Sequence, residues 1–279
     1  MKLYFVKPRQ ELTPYIESLW VFESETGHPA SESTSAAPNG CSKLTFVYGD
    51  SFVSTANGTA TIRHERRLNF VGNRDSSILL QSAVRKIGCI GVEFRPHGAF
   101  PIFGIPMGET FNFLGEADAI LGSWARAVQE GLNDLQGPKQ RAAFLQDQLA
   151  LLLRKNQSRT LTRHHEVVAY CVRTLRSRDG LLAIRELEYK TGYSRRYLDL
   201  LFKEHIGLSP KALAGIFRFQ RFYRKWAQGQ SFDLLKRDLY EHYYDQSHFT
   251  KEFKRMTGHT PRRYSHEVSN EFGRQVSLR

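Results

Sequence analysis

The sequence has little cysteine and no long apolar run, and both absences narrow the classes of protein it can belong to. Its three cysteines, Cys41, Cys89 and Cys171, are odd in number and far apart, so neither a disulfide framework nor a Cys-x-x-Cys metal site is expected. No apolar run approaches the ~20 residues that a membrane span requires, and the first residues lack the apolar segment of a signal peptide. We therefore expect a reduced, cytoplasmic protein without a membrane partner.

The sequence also lacks the short motifs that mark common enzyme classes. It has no Gly-x-x-x-x-Gly-Lys-[Ser/Thr] loop, no Gly-x-Ser-x-Gly turn, no His-Glu-x-x-His pair and no Gly-x-Gly-x-x-Gly turn. The ten histidines are scattered, and the adjacent His164 and His165 cannot share one helix face as metal ligands. These absences predict a protein that is not an enzyme and that uses no metal and no cofactor.

Positive charge is abundant and unevenly placed. The 279 residues carry 40 Lys and Arg against 28 Asp and Glu, a net charge of +12. Residues 1–160, hereafter the N-terminal half, contain 17 basic and 15 acidic residues. Residues 161–279, the C-terminal half, contain 23 basic and 13 acidic residues, a net charge of +10. Such a region favours a polyanionic partner, because neutralising phosphates releases counterions. A basic surface that only keeps the protein soluble is the alternative.

The hydrophobic period changes along the chain. Short apolar runs bounded by turn residues predict a small antiparallel sheet or barrel before residue 110. From Ser123 apolar residues recur at helical spacing, which predicts two helices separated by Gly137-Pro138. The expected fold class is α+β, with a β-rich domain closed by helices and an all-α domain of seven helices. The predicted boundaries are 1–155 for a β-rich regulatory domain, 156–163 for a linker, 164–268 for the helical domain and 269–279 for a tail.

Two helix-turn-helix units are predicted within the seven helices. In the first unit, Leu198, Leu201 and Phe202 form an apolar face, and the opposite face is basic and polar. The second unit repeats this pattern around Phe249 and Phe253. A helix that reads DNA needs such an arrangement, since the apolar face docks it and the polar face meets the groove. The predicted helices span 164–177, 183–191, 195–205, 210–227, 232–241, 246–256 and 261–268, with Ser194, Ser209 and Asp245 as N-caps.

These two units carry a resemblance to a known family. Residues 193–210 read Tyr-Ser-Arg-Arg-Tyr-Leu-x-x-Leu-Phe-Lys-x-x-x-Gly-Leu-Ser-Pro, and residues 244–264 read Tyr-Asp-Gln-Ser-His-Phe-Thr-Lys-Glu-Phe-Lys-Arg-Met-Thr-Gly-x-Thr-Pro-x-x-Tyr. Over residues 164–266 the chain resembles the DNA-binding domain of AraC/XylS-type transcriptional regulators. The resemblance implies two recognition helices, joined by the helix 210–227, in successive major-groove segments roughly 34 Å apart. Glu188 and His242 depart from the residues common in the family.

The resemblance also implies which residues contact double-stranded DNA. Phosphate contacts, which position the protein without reading sequence, are expected from Lys203, Arg218, Lys254 and Arg262. Arg pairs with guanine, Gln with adenine, and an acidic side chain accepts from cytosine. For each of these residues the alternative is a place on a solvated helix face. For Asp199 a local salt bridge is a further alternative. Base contacts are expected from Arg196, Asp199, Leu200, Gln246, Ser247, Thr250 and Lys251.

The N-terminal half resembles an uncharacterised sensor-type domain found ahead of AraC-type modules. The resemblance rests on Leu12-x-Pro14-Tyr15-Ile16, Pro38-Asn39-Gly40, residues 91–98 and residues 103–111. It implies a regulatory role and leaves open whether a small-molecule effector exists. One alternative is a ligand pocket with Arg95 or His97 as its polar anchor. The other, which the sequence favours, is that the aromatic residues belong to the core and that Pro96-His97-Gly98 is a simple turn. The candidate pocket residues are Trp20, Phe94, Arg95, His97 and Phe100.

The sequence therefore predicts a sequence-specific transcription factor, with RNA polymerase as a further partner if it is an activator. One alternative is a nonspecific, architectural DNA-binding protein, and another is a regulator whose N-terminal domain acts as an enzyme on a small molecule. Monomer and homodimer both remain open, because the amphipathic helix 139–155 can either dimerise or pack on the chain's own sheet. Its leucines are Leu145, Leu149, Leu152 and Leu153.

Overall fold

The N-terminal half is built on two antiparallel sheets. The computed structural model describes residues 2–25, 34–50, 52–56, 60–64, 67–81, 86–228, 231, 237, 246–261 and 263. The strands are β1 (Lys2–Val6), β2 (Ile16–Ser24), β3 (Thr34–Ala36), β4 (Lys43–Val47), β5 (Phe52–Ala56), β6 (Ala60–His64), β7 (Leu68–Val71), β8 (Ile78–Gln81), β9 (Ile87–Phe94) and β10 (Leu114–Glu116). The larger sheet has the order β1-β2-β9-β4-β7-β10, and the smaller one the order β3-β8-β5-β6.

Strand β9 lies inside the larger sheet, and all eight of its residues are buried. Val92 of β9 pairs with Leu19 of β2 on one side and with Leu44 of β4 on the other. Because successive side chains point to opposite faces of a strand, residues in this register form one apolar face. That face is fully buried and packs against helices of the same half of the chain.

The helices that follow confirm the α+β class. They are α1 (Ala99–Phe103), α2 (Asp118–Asp134), α3 (Pro138–Thr160), α4 (Arg163–Ser177), α5 (Ile184–Thr191), α6 (Arg195–His205), α7 (Pro210–Ala227) and α8 (Gln246–Thr257). Four predicted helices of the C-terminal half correspond to α4–α7 within one residue at each end, and the one predicted at 246–256 corresponds to α8. The helices predicted at 232–241 and 261–268 lie outside the described residues, apart from a few single positions. No helix among those described is long and apolar enough to cross a membrane.

Helix α3 packs on the sheet and extends into the segment predicted as a linker. Leu145, Leu149 and Leu153 are buried in the core of the N-terminal half, so this face is not free to form a dimer. Asn156 donates a hydrogen bond to the carbonyl of Ile102 at 2.7 Å, which ties the last turns of the helix to α1. Residues 156–160 are therefore helical although their composition is that of a linker. The division of the chain into domains stays a prediction.

The two halves of the chain contact each other through polar side chains as well as through apolar packing. The Glu17 carboxylate of β2 accepts from Arg176 of α4 at 2.9 Å. The Gln220 amide of α7 donates to the carbonyl of Pro38 at 2.7 Å. The neighbouring Gly40, with φ +78°, lies against α7 so closely that a Cβ would come within 2.6 Å of a Leu213 methyl group. The turns that connect the strands thus form the surface on which the C-terminal helices dock.

Replacing Leu149 by alanine tests the packing of α3. Its side chain is completely buried, and a Leu→Ala change at such a site removes about 2–5 kcal/mol of unfolding free energy through lost burial and a residual cavity. We expect a shift of that size in urea denaturation followed by circular dichroism. The matched control is Leu151→Ala on the same helix, whose side chain is 53% exposed and whose loss should change stability by less than about 0.5 kcal/mol. Equal effects of the two changes would contradict the packing described for α3.

Candidate nucleic-acid interface

The first helix-turn-helix unit consists of α5 and α6. Gly192 ends α5 in the left-handed region, with φ +72°, and so allows the tight turn between the helices. The Ser194 side chain then accepts a hydrogen bond from the Tyr197 backbone N–H at 3.4 Å and caps α6. Leu198 and Phe202 are buried, as is Leu201. The predicted N-cap and apolar face of the first unit are confirmed.

The opposite face of α6 is open to solvent over its first turns, and near its end the Lys203 side chain passes close to Gly108 of the N-terminal half. Arg196 and Lys203 are exposed, and Asp199 is half-buried. Leu200 is 57% exposed, so its side chain is available to another surface. An exposed leucine can contact the methyl group of thymine, while the arginine and the aspartate can bond to base edges. The chemistry of this face suits a DNA groove, and contact with DNA stays a prediction for each of these residues.

The second unit is represented by α8. Phe249, Phe253 and Met256 are buried, and the Phe253 ring contacts the Phe219 ring of α7 edge to face with a centroid distance of 5.6 Å. On the other face, Ser247, Lys251 and Lys254 are exposed and Thr250 is half-buried. The side chain of Gln246, together with Asp245, His242 and Arg262, lies outside what the structure describes. The predicted inward and outward faces of α8 are otherwise confirmed.

Helix α7 joins the two units into one body. It begins at Pro210 after the Ser209 side chain, which accepts from the Ala212 backbone N–H at 3.2 Å. Apolar residues of α4, α5, α6, α7 and α8 form a single buried cluster. Because packed interiors are dense and do not deform freely, a shared core holds the outer faces of α6 and α8 in a defined relation.

A basic cleft opens beside the first unit. Arg185, Arg195, Lys211 and Arg218 line it, together with Glu188. The first three stand in the first turns of α5, α6 and α7, so three helix N-termini with their positive dipole ends are directed toward this region. The sequence analysis named only Arg218 here, and that guanidinium also donates to the Gly180 carbonyl at 2.8 Å. Arg185 and Lys211 were missed, although basic residues at helix starts next to a recognition helix are a usable signal.

One loop of the N-terminal half touches the ends of both recognition helices. Asn73 donates to the Ile206 carbonyl at the end of α6, at 2.7 Å. The Asp75 carboxylate accepts a hydrogen bond from Arg255 of α8, with 2.6 Å between Oδ2 and Nη1. The loop is held by Asn112, which lies in the left-handed region with φ +58° and exchanges hydrogen bonds with Asp75. We call residues 72–77 the bridging loop.

The predicted effector residues do not surround a common pocket. Phe94 is buried in the sheet core with its ring 5.2 Å from that of Phe103, which confirms the alternative of a core aromatic residue. Trp20 covers Gly91 of β9 on the other face of the sheet, since the faces alternate along β2. Arg95 pairs with Glu17 at 3.6 Å. His97 and Phe100 instead face the C-terminal half, where the Phe100 ring lies 4.1 Å from that of His205.

A buried carboxylate connects two motifs of the N-terminal half, residues 91–98 and the Pro38-Asn39-Gly40 turn. Glu93 of β9 accepts from the Asn39 amide at 2.6 Å and from the Ser18 hydroxyl at 3.1 Å, and it pairs with Lys43 at 3.3 Å. Burial by itself would raise the pKa of Glu93, but Lys43 and these hydrogen bonds outweigh it and hold the pKa below its ordinary value. The charged carboxylate thus fastens the Pro38-Asn39-Gly40 turn on which α7 docks.

Comparison with known families agrees with this architecture. A family model described as a helix-turn-helix domain matches residues 188–267, which include α6, α7 and α8. The chain carries an AraC-type helix-turn-helix domain. A second model, described as a domain of unknown function (DUF6597), matches residues 4–114, ahead of the AraC-type domain. No curated protein matches the chain significantly.

Solved structures of ToxT from Vibrio cholerae resemble the chain in general outline. The match to the P21 crystal form has 12% sequence identity and a TM-score of 0.47, and it covers 91% of this chain and 100% of the ToxT chain. ToxT bound to (E)-4-(8-methylnaphthalen-1-yl)but-3-enoic acid is 13% identical, with coverage of 89% and 98% and a TM-score of 0.45. ToxT bound to an unsaturated fatty acid is 12% identical, with coverage of 89% and 94% and a TM-score of 0.44.

Replacing the cap of α6 tests how the AraC-type domain positions its first recognition helix. Ser194→Ala leaves the Tyr197 N–H without its side-chain acceptor and should lower the unfolding free energy by about 1 kcal/mol. Ser194→Asp keeps an acceptor at the cap and should retain the stability of the wild type. Urea denaturation in the absence of DNA measures both. A stable Ser194→Ala protein, or an equally weakened Ser194→Asp protein, would argue against the capping role.

Proposed function

We propose that this chain is a sequence-specific transcriptional regulator in which α6 and α8 read successive major-groove segments of one DNA site. The observation that carries the proposal is the shared construction of the two helices. Each buries an apolar face in one core with α7 and presents a basic and polar face to solvent. A helix held in this way can enter the major groove without losing its own packing.

The composition of the outer faces favours sequence reading over nonspecific binding. A nonspecific binder needs positive charge for phosphates and little else. Here α6 presents the exposed Leu200 and the half-buried Asp199 beside Arg196. A leucine gains from a thymine methyl group and an aspartate from cytosine N4, whereas neither gains from a phosphate. We therefore assign base reading to these three residues, and to Gln246, Ser247, Thr250 and Lys251 of α8.

Phosphate contacts are assigned to exposed lysines and to the basic cleft. Lys203 and Lys254 flank the reading faces, and Arg185, Arg195 and Lys211 stand at helix N-termini. Backbone N–H groups at such termini, together with a positive side chain, form a favourable site for a phosphate oxygen. Arg218 belongs to the same cleft and holds the Gly180 carbonyl as well.

We further propose that the N-terminal half regulates the DNA-binding half through the bridging loop. Asn73 and Asp75 reach the ends of α6 and α8, so any event that moves this loop acts on both recognition helices. In this view residues 1–155 form the regulatory domain and residues 164–268 the DNA-binding domain. A ligand or partner that binds one arrangement of the two halves better than another would shift DNA occupancy by that difference in affinity.

The decisive experiment is selection of bound sites from random DNA with the full-length protein, followed by affinity measurements on the selected and on scrambled sequences at several salt concentrations. We expect a bipartite site with two elements about one helical turn apart, bound at least ~1000-fold more tightly than scrambled DNA. Equal affinity for both would leave an architectural DNA-binding protein as the better description.

Two substitutions separate base reading from phosphate binding. Arg196→Ala should cost about 1–3 kcal/mol on the selected site and relax the preference at one base pair, because a bidentate contact to guanine is lost. Lys254→Ala should weaken binding to every sequence and reduce the slope of log affinity against log salt by about one. Lys139→Ala, an exposed lysine of α3 in the N-terminal half, is the charge-matched control and should change neither. Identical behaviour of Arg196→Ala and Lys254→Ala would contradict the assignment.

The cleft is tested by removing two of its charges together. Arg185→Ala/Lys211→Ala should reduce the salt slope by about two and leave the order of preferred sequences unchanged, since phosphates carry no base information. Lys190→Ala is the control on the same helix α5, because Lys190 stands at the other end and pairs with Glu186 at 2.9 Å. An unchanged salt slope in the double variant would remove the cleft from the DNA interface.

A further inference from the structure

Three histidines meet where the two halves of the chain touch. His97 lies in the turn after β9, His165 in the first turns of α4 and His205 at the end of α6. The ring centroids of His97 and His165 are 5.6 Å apart, and those of His165 and His205 are 5.7 Å apart. One ring comes from the N-terminal half and two from the C-terminal half, so only docking assembles this histidine cluster.

The three side chains of the histidine cluster are almost fully buried. His97 is 8% exposed, His165 6% and His205 2%. Within the described part of the chain, Nδ1 of each ring is buried and has no hydrogen-bond partner. The aromatic rings of Phe100 and Tyr15, both from the N-terminal half, lie against His205 and His165. Such surroundings accept a neutral imidazole and penalise a charged one.

The charged groups that face the cluster are mainly positive. Arg95 of the turn after β9, together with Arg173 and Arg176 of α4, acts on His97, and His164 of α4 acts on His205. Two carboxylates act on these arginines: Glu17 is shared between Arg95 at 3.6 Å and Arg176 at 2.9 Å, and Glu93 also acts on Arg176. A proton added to the cluster therefore meets repulsion in addition to poor solvation.

Burial lowers the pKa of His97 to about 3, and His165 and the three arginines add to the effect. Burial likewise lowers the pKa of His205 to about 3, with a contribution from His165 and His164, and that of His165 to about 4. An imidazole in water has a pKa near 6.5. The docked histidines thus exclude protons that the separated ones bind. The histidines do not oppose docking at neutral pH, and docking is progressively destabilised as the pH falls below about 6.5.

We propose that the histidine cluster makes the contact between the two halves acid-sensitive, so that protonation of its imidazoles releases the C-terminal half from the N-terminal half. Carboxyl groups ordinarily titrate near pH 4, so imidazoles are the side chains that respond first as the solution becomes mildly acidic. At about pH 5.5 each newly exposed imidazole favours the released state about 10-fold, and three together favour it about 1000-fold.

Release also frees the ends of the recognition helices. His205 precedes Ile206, whose carbonyl accepts the bond from Asn73 of the bridging loop. Separation of the halves breaks this bond and the ion pair between Arg255 and Asp75. Only this consequence for DNA binding rests on the proposed function; the acid-dependent release itself does not.

The test measures the distance between the halves directly. The native cysteines are all buried, so spin labels can be placed on introduced Lys139→Cys in α3 and Tyr189→Cys in α5, two exposed positions on opposite sides of the contact. Pulsed electron paramagnetic resonance on the full-length protein should give one narrow distance distribution at about pH 7.5. At about pH 5.5 a broad, longer component should dominate, consistent with a shift in the docking equilibrium of up to ~1000-fold.

Two further samples identify the responsible groups. The triple variant His97→Gln/His165→Gln/His205→Gln has no imidazole to protonate and should keep the narrow distribution at both pH values. His164→Gln removes a half-buried histidine that lies next to the cluster but is not part of it, and this change should reduce the pH dependence by much less than 10-fold. If the triple variant does not dock at about pH 7.5, the three single variants replace it, and each should reduce the pH dependence by about 10-fold.

A label pair within the N-terminal half, Lys7→Cys with Lys139→Cys, separates release from unfolding. Its distance should not change between the two pH values. The proposal is overturned if the distance between the halves stays narrow at about pH 5.5, if the triple variant or all single variants retain the full pH dependence, or if the pair within the N-terminal half broadens in parallel. Absence of sequence-specific DNA binding at about pH 7.5 would refute the proposed function and leave these distance measurements unaffected.

Discussion

The placement of the DNA-binding helices depends on how the C-terminal half docks on the turns of the larger sheet. Glu17 shares its carboxylate between Arg95 of the sheet half and Arg176 of α4, and the Pro38 carbonyl accepts from Gln220 of α7. Contacts of this kind orient the helices because hydrogen bonds and ion pairs require a defined geometry, which apolar packing alone does not impose. The outer faces of α6 and α8 therefore have defined positions relative to the N-terminal half, even though neither face touches it along most of its length.

The same docking explains features of the N-terminal half that are costly in isolation. The buried Glu93 carboxylate requires Asn39, Ser18 and Lys43 around it, and the result is a rigid turn below α7. The left-handed Asn112 stiffens the bridging loop, which serves both recognition helices. Three neutral histidines fill the remaining space, an arrangement that is stable only while the solution leaves them unprotonated. The groups that stabilise the docked halves are therefore also those to which we assign regulation.

Prediction from the sequence succeeded where structure is local. The caps Ser194 and Ser209, the helix boundaries of α4–α7 and the inward faces of α6 and α8 follow from short-range hydrogen bonding and from the period of the helix. For the five candidate effector residues it left a pocket and a core as alternatives and favoured the core, and strand alternation and the course of the turn after β9 send these residues into different surroundings. It did not show that α3 continues to Thr160, into the segment predicted as a linker, since the tertiary hydrogen bond from Asn156 to Ile102 has no local signature.

The character of the C-terminal half follows from local sequence, because two helices with apolar and basic faces, each preceded by a turn, suit DNA binding and carry the resemblance to AraC-type regulators. The sequence also located nearly all of the excess positive charge. The contacts between the halves, in contrast, follow from long-range packing. His97, His165 and His205 are far apart in the chain, as are Asp75 and Arg255, and their meeting depends on long-range packing of sheet against helices rather than on any period in the sequence.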